Sequence, residues 1–143
     1  MSQTPPCYVL DTSALLTLIE DEAGADQVQT LLEQAKQGEV RLLVSFISFM
    51  EVYYISLQER GQEEAQERLR LLAVLPMSRV ESTEPLTILA GQFKAAHRLS
   101  VADAWIAALA QERDATLVHK DPEFEQLEAV VKVLKLPYKK NIP

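Results

Sequence analysis

The sequence predicts an α/β domain with a central parallel sheet of four to five strands, covered by helices on both faces in three layers. Three observations predict it. Short apolar runs of strand length alternate with longer segments of helical periodicity. Glycine and proline punctuate the joins, at Gly38, Gly61, Pro76 and Pro85. The strand candidates are apolar on both sides, as a sheet buried between helix layers requires.

The elements follow in order. Tyr8-Val9-Leu10 reads as a short buried strand, followed by Asp11-Thr12-Ser13 and an apolar helix start at Ala14-Leu15-Leu16. Val28, Leu31, Leu32 and Ala35 recur at helical spacing within a helix from Ala25 to Gln37, which Gly38 ends. Residues 40–46 suit a strand covered on both faces, and a helix from Ile47 to Arg60 runs to the stop at Gly61. Leu69, Leu72, Val74 and Leu75 mark the buried side of a helix over 63–75, closed by Pro76. A short strand over 77–81 precedes a helix that opens with Pro85 and carries Leu86, Leu89, Phe93 and Ala96 as a stripe. A helix over 100–113, a strand over 115–118, a helical turn over 122–127 and a strand over 130–134 complete the set. Asp11 and Asp121 both fall at carboxyl ends of strands, where sites of open parallel sheets gather.

A chain of 143 residues suits one domain spanning 1–143, with a core over about 8–136. Hydrophobic residues at 48% and charged residues at 24% exclude a disordered tail and a membrane protein. The longest weakly charged stretch, 42–57, contains Glu51 and three serines and is too short to span a bilayer. Met1-Ser2-Gln3-Thr4-Pro5-Pro6 has neither the basic nor the apolar region of a signal peptide, and one cysteine, Cys7, allows no internal disulfide. The expected compartment is the cytoplasm. A net charge of −7 argues against a nucleic-acid coat protein, since phosphate binding rests on Lys and Arg, but leaves room for an enzyme with a local basic rim.

Four acidic residues draw the functional reading: Asp11, Glu51, Asp103 and Asp121. Each has a structural explanation. Asp11 stands between strand and helix, where aspartate caps; Asp121 precedes Pro122 at a first helical position; Ser100-Val101-Ala102-Asp103 matches a capping box. Glu51 is harder to account for structurally, because the segment around it is apolar and offers no cation one turn away. Converging carboxylates repel one another unless a cation sits among them, so the set points to a divalent metal. Oxygen donors alone suit Mg²⁺ or Mn²⁺ rather than zinc.

The order and context of these acids resemble the PIN-domain nucleases, and within them the VapC-type toxins of prokaryotic toxin–antitoxin pairs. Tyr8-Val9-Leu10-Asp11-Thr12-Ser13-Ala14-Leu15 is similar to the family's first strand and first catalytic aspartate. Glu51 stands for its helical glutamate, Leu99 to Ala110 resembles its most specific segment, and Ala115 to Phe124 its last acidic motif. The likeness spans about Tyr8 to Leu136. His119 stands where the family often has threonine, serine or asparagine, and Lys120 where it has a small or basic residue.

The resemblance implies a three-layer PIN-like fold and a Mg²⁺- or Mn²⁺-dependent endoribonuclease, the toxin of a type II pair, acting on structured RNA. It implies that Asp11, Glu51, Asp103 and Asp121 hold the metal, and it implies an antitoxin partner and a homodimer. Apolar residues over 14–20 and 46–57, with Tyr53 and Tyr54, offer surface for such partners or simply extend the core. Thr12 and Ser13 either orient ligands or start a helix; Ser100 caps and orients. Lys94, Arg98 and Lys120 are candidates for a rim against the RNA backbone, with solvated surface as the other reading, and Lys132, Lys135, Lys139 and Lys140 for contact with RNA or a partner. His97 and His119 lack the orienting partner of an acid–base pair. A non-catalytic PIN-like RNA-binding or regulatory module is the alternative. A receiver-like signalling domain is disfavoured, because the acidic pair after a first strand and the aspartate after a third are both missing.

Overall fold

In the computed structural model, which describes residues 4–139, the chain runs β1 (Cys7–Leu10), α1 (Thr12–Ile19), α2 (Ala25–Lys36), β2 (Arg41–Ser45), α3 (Phe46–Arg60), α4 (Gln62–Val74), β3 (Ser78–Val80), α5 (Glu84–Ala96), α6 (Val101–Glu112), β4 (Thr116–His119), a 3-10 turn (Pro122–Leu127) and β5 (Val133–Lys135). The five strands form one sheet in the order β3-β2-β1-β4-β5. Every neighbouring pair is parallel, with Tyr8 opposite Leu42 on one side and Thr116 on the other. The expected parallel sheet is therefore present with five strands.

Side chains alternate across each strand, so each strand feeds two cores. Val9, Leu43 and Leu117 join Leu86, Phe93, Ile106 and Leu109 of α5 and α6. Leu10, Leu42, Val44 and Val118 join Leu15, Val28, Leu32, Val52 and Leu72 of α1 to α4. Two helix layers enclose the sheet, giving the three-layer α/β/α arrangement.

Chain order places the site. From β1 the sheet grows through β2 and β3 on one side, then continues through β4 and β5 on the other. The path therefore switches direction between β1 and β4, and the loops leaving their carboxyl ends diverge to opposite faces. Such a divergence opens a crevice. Asp11 leaves β1 there, and Lys120 and Asp121 leave β4 there.

Several boundaries differ from expectation by a residue or more, and hydrogen bonds explain two of them. β5 starts at Val133 rather than residue 130, because the Leu127 carbonyl accepts the N–H groups of Val130 and Val131 at 2.9 Å each and keeps them in the preceding turn. β4 extends to His119, whose carbonyl accepts the N–H of Leu136 at 2.8 Å. Gly24, at φ 101°, starts α2 where a Cβ would lie 3.1 Å from both Leu136 Cβ and Pro137 Cδ, so the backbone conformation favours glycine and the close approach adds to it.

Buried Arg68 on α4 ties the helix layer to α1. Its guanidinium reaches Glu20 at 2.9 Å, Ser56 at 3.1 Å and Glu64 at 3.4 Å. Among the described residues no helix is long and apolar enough to cross a membrane.

Candidate metal centre

Asp11 is both cap and site residue. Its Oδ1 accepts the Ala14 N–H at 2.7 Å, which starts α1, while the side chain is only 2% exposed at the wall of the crevice. Ser13 Oγ lies 2.7 Å from each Asp11 oxygen and accepts the backbone N–H of Lys120 at 2.8 Å. Helix initiation and carboxylate placement are thus one arrangement.

Glu51 sits on α3, half-buried, and accepts the Thr12 hydroxyl at 2.6 Å. The same Thr12 oxygen is 3.0 Å from the buried Ser48 hydroxyl. Asp103 lies in the first turn of α6, whose cap is Ser100: its Oγ accepts the Asp103 N–H at 3.1 Å. Asp121 caps the 3-10 turn by accepting the Glu123 N–H at 3.0 Å, and gives its own N–H to His119 Nδ1 at 3.1 Å. Asp11, Asp121 and Ser100 all cap as the sequence suggests, although for Ser100 and Asp103 only the serine half of a capping box is formed, and none of these caps conflicts with a place in the cleft.

Asp11, Thr12, Ser13, Glu51, Ser100, Asp103, Asp121 and Glu123 line one cleft of about 350 Å³, with Leu16 and Ile55 as its apolar wall. No lysine or arginine is among them. The electrostatic consequence is large. Burial, followed by the charges of Asp121 and Glu51, drives the Asp11 carboxyl up to about 7 despite its hydrogen bonds to Ser13 and Ala14. Asp103 is pushed up to about 8 by burial, Asp121, Glu123, Asp11 and Glu51. Glu51 is raised by burial and Asp121 against the pull of Thr12. The cleft is short of positive charge.

Glu123 was not among the expected site residues. One carboxylate oxygen each from Asp103, Asp121 and Glu123 lies within 4.8 Å of the others, the one such group of three found among the described residues. Asp11 and Glu51 line the same cleft without joining that trio. Glu123 hid in a motif, Asp-Pro-Glu, that also explains a helical turn; its spacing of two from Asp121 was the available signal.

A family model for the PIN domain matches residues 8–130. The chain belongs to the PIN-domain family. No curated protein matches the sequence. Among solved structures, this PIN domain is similar to the VapBC2 complex of Rickettsia felis bound to a promoter DNA fragment, with a TM-score of 0.73 at 19% identity over 92% of this chain and 99% of that one. A DNA-bound VapBC of Salmonella typhimurium gives 0.72 at 18% identity, over 91% and 98%. VapC20 of Mycobacterium tuberculosis, described as a sarcin–ricin loop cleaving toxin, gives 0.65 at 13% identity, over 83% and 93%. These likenesses establish the fold.

The basic candidates separate within this PIN domain. Lys94 and Arg98 are exposed. Lys120 corrects the expectation of a rim residue: its side chain is 5% exposed and pairs with Glu22 at 3.5 Å, because the Ser13 contact turns the chain so that Lys120 points into the fold. Lys132, Lys135 and Lys139 are likewise occupied, with Asp114, Glu128 and Glu22 at 3.3, 2.7 and 2.9 Å. Lys140 and Met1 to Gln3 lie outside the described residues. His97 stands beside the Phe93 ring at 5.9 Å and does not line the cleft. His119 is fully buried.

Proposed function

We propose that this PIN domain is a divalent-metal-dependent endoribonuclease and the VapC-type toxin of a type II toxin–antitoxin pair, acting as one domain over residues 1–143. The observation that carries the reading is the convergence of five carboxylates on one cleft lined by no basic side chain. Two of them are held near neutrality in their affinity for a proton. A hard cation suits that donor set, and it would favour the ionised form of acids that otherwise repel one another.

Asp11, Glu51, Asp103 and Asp121 would hold Mg²⁺ or Mn²⁺, with Glu123 beside them. When bound, the cation supplies Lewis acidity toward a phosphodiester oxygen and lowers the pKa of attacking water. Ser13 and Thr12 keep Asp11 and Glu51 oriented and partly charge-compensated, and Ser100 fixes the start of α6 beneath Asp103. Leu16 and Ile55 give the cleft an apolar wall. Lys94 and Arg98 are exposed and would offer positive charge to an RNA backbone.

A similar solved structure, VapBC-5 of Mycobacterium tuberculosis, is described as a toxin–antitoxin system, which supports an antitoxin partner here, and the sarcin–ricin loop cleaving toxin VapC20 supports structured RNA as substrate. Met50, Tyr54 and Leu57 stand exposed at spacings of four and three on one face of α3, an apolar surface suited to a homodimer or to the antitoxin. The cytoplasm, where such a pair would act, is the proposed compartment.

Cleavage of ribosomal RNA fragments and tRNA by the purified chain tests the reading. We expect cleavage with Mn²⁺ or Mg²⁺ and none with chelator. Asp11→Asn and Asp103→Asn should lose more than the roughly 10–100-fold that disrupting an outer partner of a metal ligand costs. Undiminished cleavage by both variants would refute the assignment, and a metal-binding protein that cuts no RNA would be the non-catalytic module instead.

A further inference from the structure

His119, two residues before Asp121, carries a chemistry that the proposed reaction leaves unused. It ends β4, is fully buried, and its ring lies 5.2 Å from the Phe124 ring and 6.4 Å from that of Tyr138. Its Nδ1 accepts the Asp121 N–H at 3.1 Å, and its Nε2 is buried with no partner. Since Nδ1 accepts, the proton of the neutral ring resides on Nε2.

We propose that His119 is a positioning residue that fixes Asp121 toward the cleft through this single bond, an inference resting on the reading of Asp121 as a metal-holding carboxylate. A position that needed only filling would take Leu or Phe. The imidazole instead leaves one desolvated N–H unpaired, which apolar side chains avoid. What it contributes in exchange is the acceptor for Asp121.

The placement makes that acceptor consequential. Beyond His119 the strand ladder ends, and the next two N–H groups are taken by side chains: Lys120 by Ser13 Oγ and Asp121 by His119 Nδ1. Asp121 is then held from both sides, because its carboxylate Oδ1 accepts the Glu123 N–H at 3.0 Å. Phe124, itself fully buried, and Tyr138 hold the imidazole plane. Asp121 carries no cation partner that would otherwise orient it among the cleft-lining residues.

The test uses a matched pair in the full chain. His119→Thr and His119→Val leave side chains of the same shape and the same cavity, but only threonine can accept an N–H two residues on. With Mn²⁺ alone as the probe, calorimetry should show the valine variant roughly tenfold weaker than wild type. The threonine variant should recover to within about threefold, the range left for a longer, reoriented acceptor. Equal affinity of the two variants overturns the proposal. Should that pair not fold, His119→Asn against His119→Leu makes the same comparison with larger side chains. Nitrogen NMR of the wild-type imidazole decides the bond without metal: Nδ1 unprotonated and Nε2 protonated is expected, and the opposite tautomer refutes it. A wild type that binds no Mn²⁺ but shows the expected tautomer would sink the metal reading and leave the hydrogen bond standing.

Discussion

Ser13 Oγ accepts the backbone N–H of Lys120 at 2.8 Å across 107 positions of sequence, while touching both oxygens of Asp11 at 2.7 Å. One hydroxyl therefore joins the exits of β1 and β4, the two strands between which the sheet reverses direction. It couples the placement of Asp11 to that of the segment carrying Asp121. Ser13→Ala removes the joint and leaves the Lys120 N–H without its acceptor. We expect Mn²⁺ affinity to fall about tenfold, read by calorimetry, with the far-ultraviolet circular dichroism unchanged. Wild-type affinity would show that the two strand exits are fixed without it.

Thr12 plays the corresponding part for Glu51, donating at 2.6 Å from α1 to α3. Thr12→Val keeps the shape and deletes the donor, so the Glu51 carboxyl rises further from its ordinary range. Cleavage at neutral pH should drop several-fold and recover as pH is raised, because deprotonation of Glu51 then no longer limits metal binding. A pH–rate profile superimposable on that of wild type would count against this role.

Metal-free stability should depend on pH in a distinctive sense. Asp11 at about 7 and Asp103 at about 8 bind protons more tightly folded than unfolded, where aspartate titrates near 3.9. Their contribution is fully present below about pH 4 and is lost as pH rises through 7 to 8. Thermal melts of chelator-treated protein should show a falling midpoint across that window. Asp103→Asn should flatten the fall, and saturating Mn²⁺ should reverse it, since binding N alone stabilises more as its ligands ionise. A midpoint rising from pH 6 to 8 without metal would contradict the electrostatics of the cleft.

Arg68 supports the site from a distance. Its guanidinium is buried and joins Glu20 at the end of α1 to Ser56 of α3. Arg68→Met deletes these contacts and the one to Glu64, but Glu20 stays partly exposed and keeps Arg60 at 2.8 Å. The expected loss is therefore about 1–3 kcal/mol, below the cost of stranding a fully buried charge. Urea denaturation measures it, and an unchanged midpoint would show the network to be neutral.

Much of this protein was legible along the chain. The parallel sheet, the two helix layers and the order of elements follow from apolar periodicity and from glycine and proline at the joins, which are local properties. The acids Asp11, Glu51, Asp103 and Asp121 were legible for a related reason: each interrupts an apolar or capping context that its neighbours define. Only the tertiary structure decided what meets across it. Glu123 approaches Asp103 because the 3-10 turn aims it back at α6, Lys120 turns inward because a serine in α1 holds its amide, and His119 serves Asp121 because β4 ends between them. Those relations depend on strand register and turn geometry, which no one-dimensional spacing encodes, whereas burial of a periodic apolar face is the same wherever in the fold it occurs.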